Sequence, residues 1–345
     1  AAAAGNTWTV ASDPHQATGY QTATLLGDGR VLAVGGQGTS AELFNPTTGA
    51  WTVAASMHVA RGFGTVTLLR NGQVLVTGGV NGGLPLASAE LYNPATNQWT
   101  LTGNLTNGRV QHSATLLANG TVLVAGGNVN TLTPWGYYVE PSATAEIFDP
   151  ATGRFTPTGA MTKPRAIFTT TLLRDGTVLT ADNGATDLYS PSTGQFTATA
   201  ALPTDLDSYA AVALSDGRVL SLGGVRGSTT ASEIYVPATR TWQTAASMTD
   251  DRSQQPFSAV ALSDGRVLVT GGDPYGKLGE VWDPAAGFWT PTGAMFNSVT
   301  SEFGMVRLTD GRVLIDGGAK PDVTCPSEGG GCQFGPVHPA EIYTP

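Results

Sequence analysis

Short apolar runs recur along the whole chain and alternate with polar turn residues. The most regular run follows an Asp-Gly or Asn-Gly dipeptide and ends in glycine, as in RVLAVGG after Gly29 and QVLVTGG after Gly72. These dipeptides favour the tight turns of β-hairpins, and a small apolar run such as TATLL precedes each turn. The pattern therefore predicts one hairpin per repeat. The seven turns begin at Asp28, Asn71, Asn119, Asp175, Asp216, Asp264 and Asp310.

Two further elements complete the repeating unit. The first is a string of an acid, an aliphatic residue and an aromatic residue that ends in proline, such as AELFNP from Ala41 and GEVWDP from Gly279. A polar turn and a single aromatic residue, such as Trp51 or Trp289, follow it. Four predicted strands in each repeat of about 47 residues are typical of a propeller blade.

The last repeat ends at Pro345, before its fourth strand, whereas the N-terminal GNTWTV has the sequence of that strand and supplies Trp8. We therefore predict an all-β, single-domain, seven-bladed β-propeller over residues 1–345, with the ring closed by an N-terminal strand that completes the last blade. The predicted blades span about 17–54, 61–102, 109–158, 165–199, 207–245, 254–292 and 301–345 plus 5–10.

The amino-acid composition limits which classes of ligand the protein can bind. The chain has 345 residues, 45 of them glycine, with 12% charged residues and a net charge of -9. Nucleic acid is excluded as a main partner because phosphate binding needs a basic surface, and no run approaches the ~18 apolar residues of a membrane span. We expect a monomer that binds a carbohydrate or a protein.

Cys325 and Cys332 are the only two cysteines, and they lie close together in a glycine-rich segment. No His or Cys quartet for zinc surrounds them, so we favour a disulfide. A disulfide implies an oxidising compartment, and we expect an extracellular or cell-surface protein whose signal peptide is not part of this chain.

The Gly-Gly strand end, the acid-aliphatic-aromatic string and the following aromatic resemble kelch repeats over essentially the whole chain, and are similar to the central propeller of galactose oxidase. Met57 to Phe63 resembles the stretch that carries a copper-binding tyrosine there. The resemblance implies copper-radical chemistry, but the tyrosine is replaced by Phe63. Tyr20 stands where the cross-linking cysteine would be, and Glu302-Phe303 replaces the Tyr-His pair. We therefore expect no copper-radical reaction.

We expect residues at repeated positions, including the acid of each string, to have structural roles. The connections between the second and third strands, and those between blades, vary in length and all emerge on one face, which we call the variable face. In rigid scaffolds such loops carry function. The candidate ligand-binding residues on this face are Tyr20, Arg61, Phe63, Arg109, His112, Trp135, Tyr138, Arg165, Tyr209, Phe257 and Glu302.

The sequence leaves open whether the protein is an enzyme. The favoured function is binding of a carbohydrate or protein on the variable face. The alternative is an enzyme in the same pocket, such as a polysaccharide lyase with His112 or Tyr20 as the base and Arg61, Arg109 or Arg165 as the carboxylate clamp. No cofactor is predicted. A further alternative is a divalent-metal enzyme that uses the axial pocket without copper-radical chemistry. Its candidate ligands are His15, His58, His112 and His338, with a carboxylate such as Glu302.

Overall fold

The computed structural model describes residues 6–15, 21–36, 38–133, 136–182, 185–203, 210–223, 230–252, 257–273, 276–297, 303–317 and 340–345, without the side chains of 131–133 and 136–138. Strands, turns and bends make up these ranges, and none of the residues in them forms a helix that could cross a membrane.

Seven four-stranded antiparallel sheets form the blades. The first strand of the chain, β1 (Thr7–Val10), belongs to the last blade. Blade 1 consists of β2 (Gln21–Leu25), β3 (Val31–Gly35), β4 (Ala41–Asn45) and β5 (Ala50–Val53). Blade 2 consists of β6 (Thr65–Leu68), β7 (Val74–Thr77), β10 (Ala89–Asn93) and β11 (Gln98–Leu101), with the small hairpin β8 (Val80–Asn81) and β9 (Leu84–Pro85) inserted.

Blade 3 consists of β13 (Ser113–Leu116), β14 (Val122–Ala125), β17 (Ala145–Asp149) and β18 (Arg154–Pro157). A separate three-stranded sheet above it contains β12 (Arg109–Val110), β15 (Asn128–Thr133) and β16 (Gly136–Pro141). Blade 4 consists of β19 (Thr169–Leu172), β20 (Val178–Asp182), β21 (Ala185–Ser190) and β22 (Gln195–Ala198).

The remaining blades repeat the plan. Blade 5 consists of β23 (Ala210–Ala213), β24 (Val219–Leu222), β25 (Ser232–Val236) and β26 (Thr241–Thr244). Blade 6 consists of β27 (Phe257–Ala261), β28 (Val267–Gly271), β29 (Gly279–Asp283) and β30 (Phe288–Pro291). Blade 7 consists of β31 (Phe303–Arg307), β32 (Val313–Gly317), β33 (Glu341–Thr344) and β1.

The ring is closed by both ends of the chain. Strand β1 pairs with β33, with Trp8 opposite Tyr343 and their ring centroids 5.0 Å apart. The inner strand of each blade contacts the inner strand of the next, and β31 of blade 7 contacts β2 of blade 1. The predicted all-β, seven-bladed fold with an N-terminal closing strand is therefore confirmed.

The hydrophobic core lies between neighbouring blades, because alternate side chains of each strand face opposite neighbours. One core cluster joins Val31 and Phe44 of blade 1 to Leu314 and Ile342 of blade 7. Within a blade, the aromatic residue of the third strand packs on that of the fourth, as Tyr92 does on Trp99 at 5.0 Å between ring centroids. The repeated aromatics are therefore core residues.

The Gly-Gly pair at the end of the second strand is required by the close approach of the next blade. Gly78 has a φ of 58°, and a Cβ atom there would lie 2.5 Å from the carbonyl oxygen of Arg109. Gly79 has a φ of 95°, and its N–H donates to that same carbonyl at 2.9 Å. Only glycine combines positive φ with such a contact, which explains why this pair recurs.

Candidate functional site

The variable face of blades 2 to 4 carries the irregular structure that the repeat lacks. In blade 2 the hairpin β8–β9 rises between the second and third strands, and Val80 forms a bridge with Gly62. In blade 3 the longer hairpin β15–β16 continues over six residue pairs, and its base is joined by β12. Strand β15 also contacts β9, so the two hairpins lie next to each other.

Three consecutive blades place a residue other than glycine in the left-handed backbone region at the start of the inner strand. These residues are Phe63, Gln111 and Ile167, with φ values of 55°, 57° and 57°. Such a conformation is costly, most of all for β-branched isoleucine, and strained residues cluster at ligand-binding sites. Phe63 and Gln111 are half-buried, whereas the Ile167 side chain is 47% exposed.

Hydrogen bonds hold this row of residues against its neighbours. The Ile167 N–H donates to the Gln111 carbonyl oxygen at 3.2 Å, which joins blades 3 and 4. The Gln111 side-chain oxygen accepts from Asn128 Nδ2 at 2.9 Å, which joins the row to the base of the β15–β16 hairpin. Ile167 and Gln111 are therefore connected to each other and to the base of the hairpin.

The arginines predicted to bind ligand lie in the interior. Arg61, Arg109 and Arg165 are each at most 2% exposed. Each forms an ion pair with the repeated acid of its own blade, over 3.1 Å to Glu90, 3.0 Å to Glu146 and 2.7 Å to Asp187 respectively. Arg61 and Arg109 also donate to the carbonyl oxygens of Gly78 and Gly126, just after the second strands, and Arg165 donates to Thr180 Oγ1. These guanidinium groups fix the connection that enters each blade to the strands of that blade, and they do not reach the surface.

The repeated acid also fixes the connection that arrives from the previous blade. Glu90 accepts hydrogen bonds from the N–H groups of His58 and Val59 and from Arg61. Burial alone would raise the pKa of Glu90, but these donors outweigh it and the pKa is lowered. This is the structural role that the repeat predicts for the acids.

His15 and His58 occupy equivalent positions in blades 1 and 2. The Nδ1 atom of His58 lies 2.8 Å from Glu90, and that of His15 lies 3.3 Å from Glu42. Each imidazole pairs with the acid of its own blade and is about half exposed. Within the described ranges, no group of three or more His, Cys, Asp and Glu residues is arranged to hold a metal ion.

His112 lies between blades 2 and 3 and is 7% exposed. Its Nε2 atom is 3.0 Å from Thr65 Oγ1 and 3.2 Å from Thr77 Oγ1, both in blade 2. Burial, followed by the charges of Arg109 and Arg61, lowers the pKa of His112 to about 3. The imidazole is therefore neutral and is held as a contact between blades.

The other predicted site residues are a core residue, a residue whose side chain is not described, and residues outside the described ranges. Phe257 is 4% exposed and belongs to the core cluster between blades 5 and 6. Tyr138 lies in β16, but its side chain is not described. The predictions for Tyr20, Trp135, Tyr209, Glu302 and His338, and for the disulfide between Cys325 and Cys332, concern residues outside the described ranges.

Two charged residues of the interior were missed in the sequence analysis. Arg252 pairs with Glu280 at 2.8 Å and is the fourth member of the buried arginine set. A signal for it exists, because an arginine follows four residues after Leu105, Met161 and Met248 as it does after Met57. The other missed residue is Asp316, a buried acid in β32 that departs from the repeat.

Comparisons with known proteins agree with this architecture. Residues 62–106 match the Kelch motif family. Among solved structures, a fungal alcohol oxidase of the AA5 family, in complex with copper, superposes with a TM-score of 0.77 at 18% sequence identity. The match covers 99% of this chain and 76% of the oxidase chain. No curated protein sequence matches. The chain is thus a seven-bladed β-propeller that contains a Kelch motif and is similar in fold to the AA5 alcohol oxidase.

Proposed function

We propose that the variable face of blades 2 to 4 binds a carbohydrate ligand. The observation that carries the proposal is the row of left-handed residues Phe63, Gln111 and Ile167 beside the β15–β16 hairpin. Apolar side chains next to amide groups suit the apolar faces and hydroxyl groups of a sugar. Tyr138 belongs to the second strand of that hairpin, and Trp135 is a further aromatic residue close to it in sequence. A protein ligand on the same surface is the alternative.

Binding is better supported than catalysis by a lyase. A lyase needs an accessible base and a guanidinium group that can meet the substrate carboxylate. His112 has its Nε2 between two threonines, and Arg109 and Arg165 are buried in ion pairs with Glu146 and Asp187. The location that we propose, outside the cell or at its surface, rests on the two cysteines of the sequence.

We do not propose the copper chemistry of galactose oxidase for this chain. Phe63 occupies the position that carries a copper-binding tyrosine in galactose oxidase, and its ring has no oxygen that could bind a metal. Its left-handed backbone and half-buried ring suit packing against a ligand instead. The fold is shared, and the proposed ligand is specific to this chain.

The test is a glycan array, followed by isothermal titration calorimetry with the bound saccharide. Ile167→Asn introduces a residue that tolerates the left-handed region, and it removes the apolar surface of the isoleucine. We expect it to weaken binding at least tenfold while stabilising the fold by about 1 kcal/mol, because the strain is relieved. Gln111→Ala should also weaken binding. Phe288→Ala, at an exposed aromatic residue on the outer strand of blade 6, is the matched control and should bind normally.

Two results would refute the carbohydrate proposal. One is an array that shows no binding of any saccharide by the wild-type protein. The other is equal affinity of the wild-type, Ile167→Asn and Gln111→Ala proteins for the saccharide found. If the array is negative but a protein ligand is captured through the same residues, the alternative ligand class is correct.

A further inference from the structure

Blade 7 carries a buried acid at a position where the other blades have uncharged residues. Asp316 is 1% exposed in β32, and its carboxylate has no side-chain hydrogen-bond donor among the described residues; the N–H of Gly317 is the one backbone donor that lowers its pKa. In the aligned second strands the equivalent positions hold Val34, Thr77, Ala125, Ala181, Leu222 and Thr270. The repeat therefore does not require an acid here, and a buried carboxylate without a partner is costly.

Asp316 faces the acid of blade 1. Alternate residues of a strand share a face, and Leu314 packs in the core cluster that joins blades 7 and 1, so Asp316 also faces blade 1. In β4, Phe44 belongs to the same cluster, so Glu42 faces blade 7. Burial, followed by the negative charge of Glu42, raises the pKa of Asp316 to about 7. Both carboxylates therefore face the junction of blades 7 and 1, where the ring closes.

Glu42 lacks the guanidinium partner that four of the six equivalent acids have among the described residues. In blades 2, 3, 4 and 6 a buried arginine pairs with the repeated acid. In blade 1 the corresponding connection, ASDPHQATGY, contains no arginine or lysine. Among the described residues, the imidazole of His15, which is 54% exposed, lies 3.3 Å from Glu42. The Oε2 atom of Glu42 has no hydrogen-bond partner in the described part of the chain.

We propose that the carboxylates of Asp316 and Glu42 bind a hard, oxygen-preferring metal cation of the calcium class at the junction of blades 7 and 1. The two oxygens of Asp316 and the Oε2 of Glu42 are the protein ligands, and water completes the shell, as is common for such ions. The cation supplies the positive charge that arginine supplies in four other blades. It thereby stabilises the junction that closes the ring.

Calcium is the probe for the test. Chelator-treated wild-type protein is titrated with Ca²⁺ by isothermal titration calorimetry near neutral pH, and the unfolding temperature is measured with and without Ca²⁺. We expect saturable binding with one site per chain and a rise of several degrees in the unfolding temperature. In Asp316→Thr, which places the residue of blades 2 and 6 in blade 7, both effects should be lost. Glu42→Gln should weaken binding at least tenfold.

Controls separate a specific site from general effects of the ion. Asp310→Asn removes an exposed turn acid from the same blade and should leave Ca²⁺ binding unchanged. Circular dichroism shows whether Asp316→Thr is folded, and Asp316→Asn replaces it if it is not. The proposal is overturned if the wild-type protein binds neither Ca²⁺ nor Mg²⁺, or if the folded Asp316 variant binds Ca²⁺ as tightly as the wild type. It is independent of the carbohydrate proposal, since it concerns a different part of the ring.

Discussion

His112 should make the fold less stable as the pH falls below neutrality. The imidazole is buried between blades 2 and 3, where the charges of Arg109 and Arg61 oppose protonation and the pKa is lowered to about 3. In the unfolded chain the pKa of histidine is about 6.5. Between these two values the unfolded chain binds a proton that the folded protein does not. The contribution of His112 to stability is therefore present above pH ~6.5 and is lost as the pH falls toward ~3.

The magnitude follows from the pKa difference. Each pKa unit corresponds to about 1.4 kcal/mol, so the largest possible loss is about 5 kcal/mol. Between pH ~7 and pH ~4 the linkage relation gives a loss of about 3 kcal/mol in the free energy of unfolding. Such a loss is a large fraction of the stability of a typical domain, which is about 5 to 15 kcal/mol.

Urea unfolding of the wild type and of His112→Gln, each at pH ~7 and pH ~4, measures this loss. Glutamine does not titrate, and Gln21 occupies the equivalent position in blade 1. Carboxylates titrate in both proteins, so the difference between their pH dependences isolates His112. The reasoning is wrong if His112→Gln loses as much stability as the wild type. It is also wrong if an NMR titration of the imidazole gives a pKa near 6.5.

Three further predictions concern the repeat and the strained row. Replacing Arg109 with methionine leaves Glu146 as a buried carboxylate without its guanidinium partner. We therefore expect chemical denaturation to show a loss of about 3 to 5 kcal/mol in the free energy of unfolding. The control Arg218→Ala, which breaks an exposed turn pair, should lose less than about 1 kcal/mol. Gly78→Ala places a Cβ atom 2.5 Å from a carbonyl oxygen and should prevent stable folding. The Cβ atom of Gly82→Ala meets no atom within 4 Å, so this variant should lose only about 1 kcal/mol of stability, because of the positive φ at that position. Equal stability of the members of either pair would contradict these assignments. Ile167→Asn should raise the unfolding midpoint, and an unchanged or lower midpoint would show that the left-handed conformation is not strained.

Local sequence signals predict the fold almost completely. The Asp-Gly and Asn-Gly turns, the strands ending in Gly-Gly and the aromatic strings each act over a few residues, and their sevenfold recurrence determines the blade count. Trp8 at one end of the chain and Tyr343 at the other were sufficient to predict how the ring closes. The repeat also assigned structural roles to the acids before their partners were known.

The candidate site was less predictable because burial and pairing depend on residues that are distant in sequence. Arg61 and Glu90 are 29 residues apart, and only the packing of strands shows that Arg61, Arg109 and Arg165 face carboxylates rather than ligand. The left-handed backbone of Ile167 has no local sequence signal, since isoleucine disfavours it.

The sequence alone determined the architecture of this protein, because turn chemistry and strand periodicity are properties of short segments. The tertiary structure alone decided which charged groups are accessible. It placed the arginines and His112 in the interior, and it brought Asp316 of the last blade to Glu42 of the first. The reason is physical: the charge state of a group depends on its desolvation and on its neighbours in space, and ring closure chooses those neighbours.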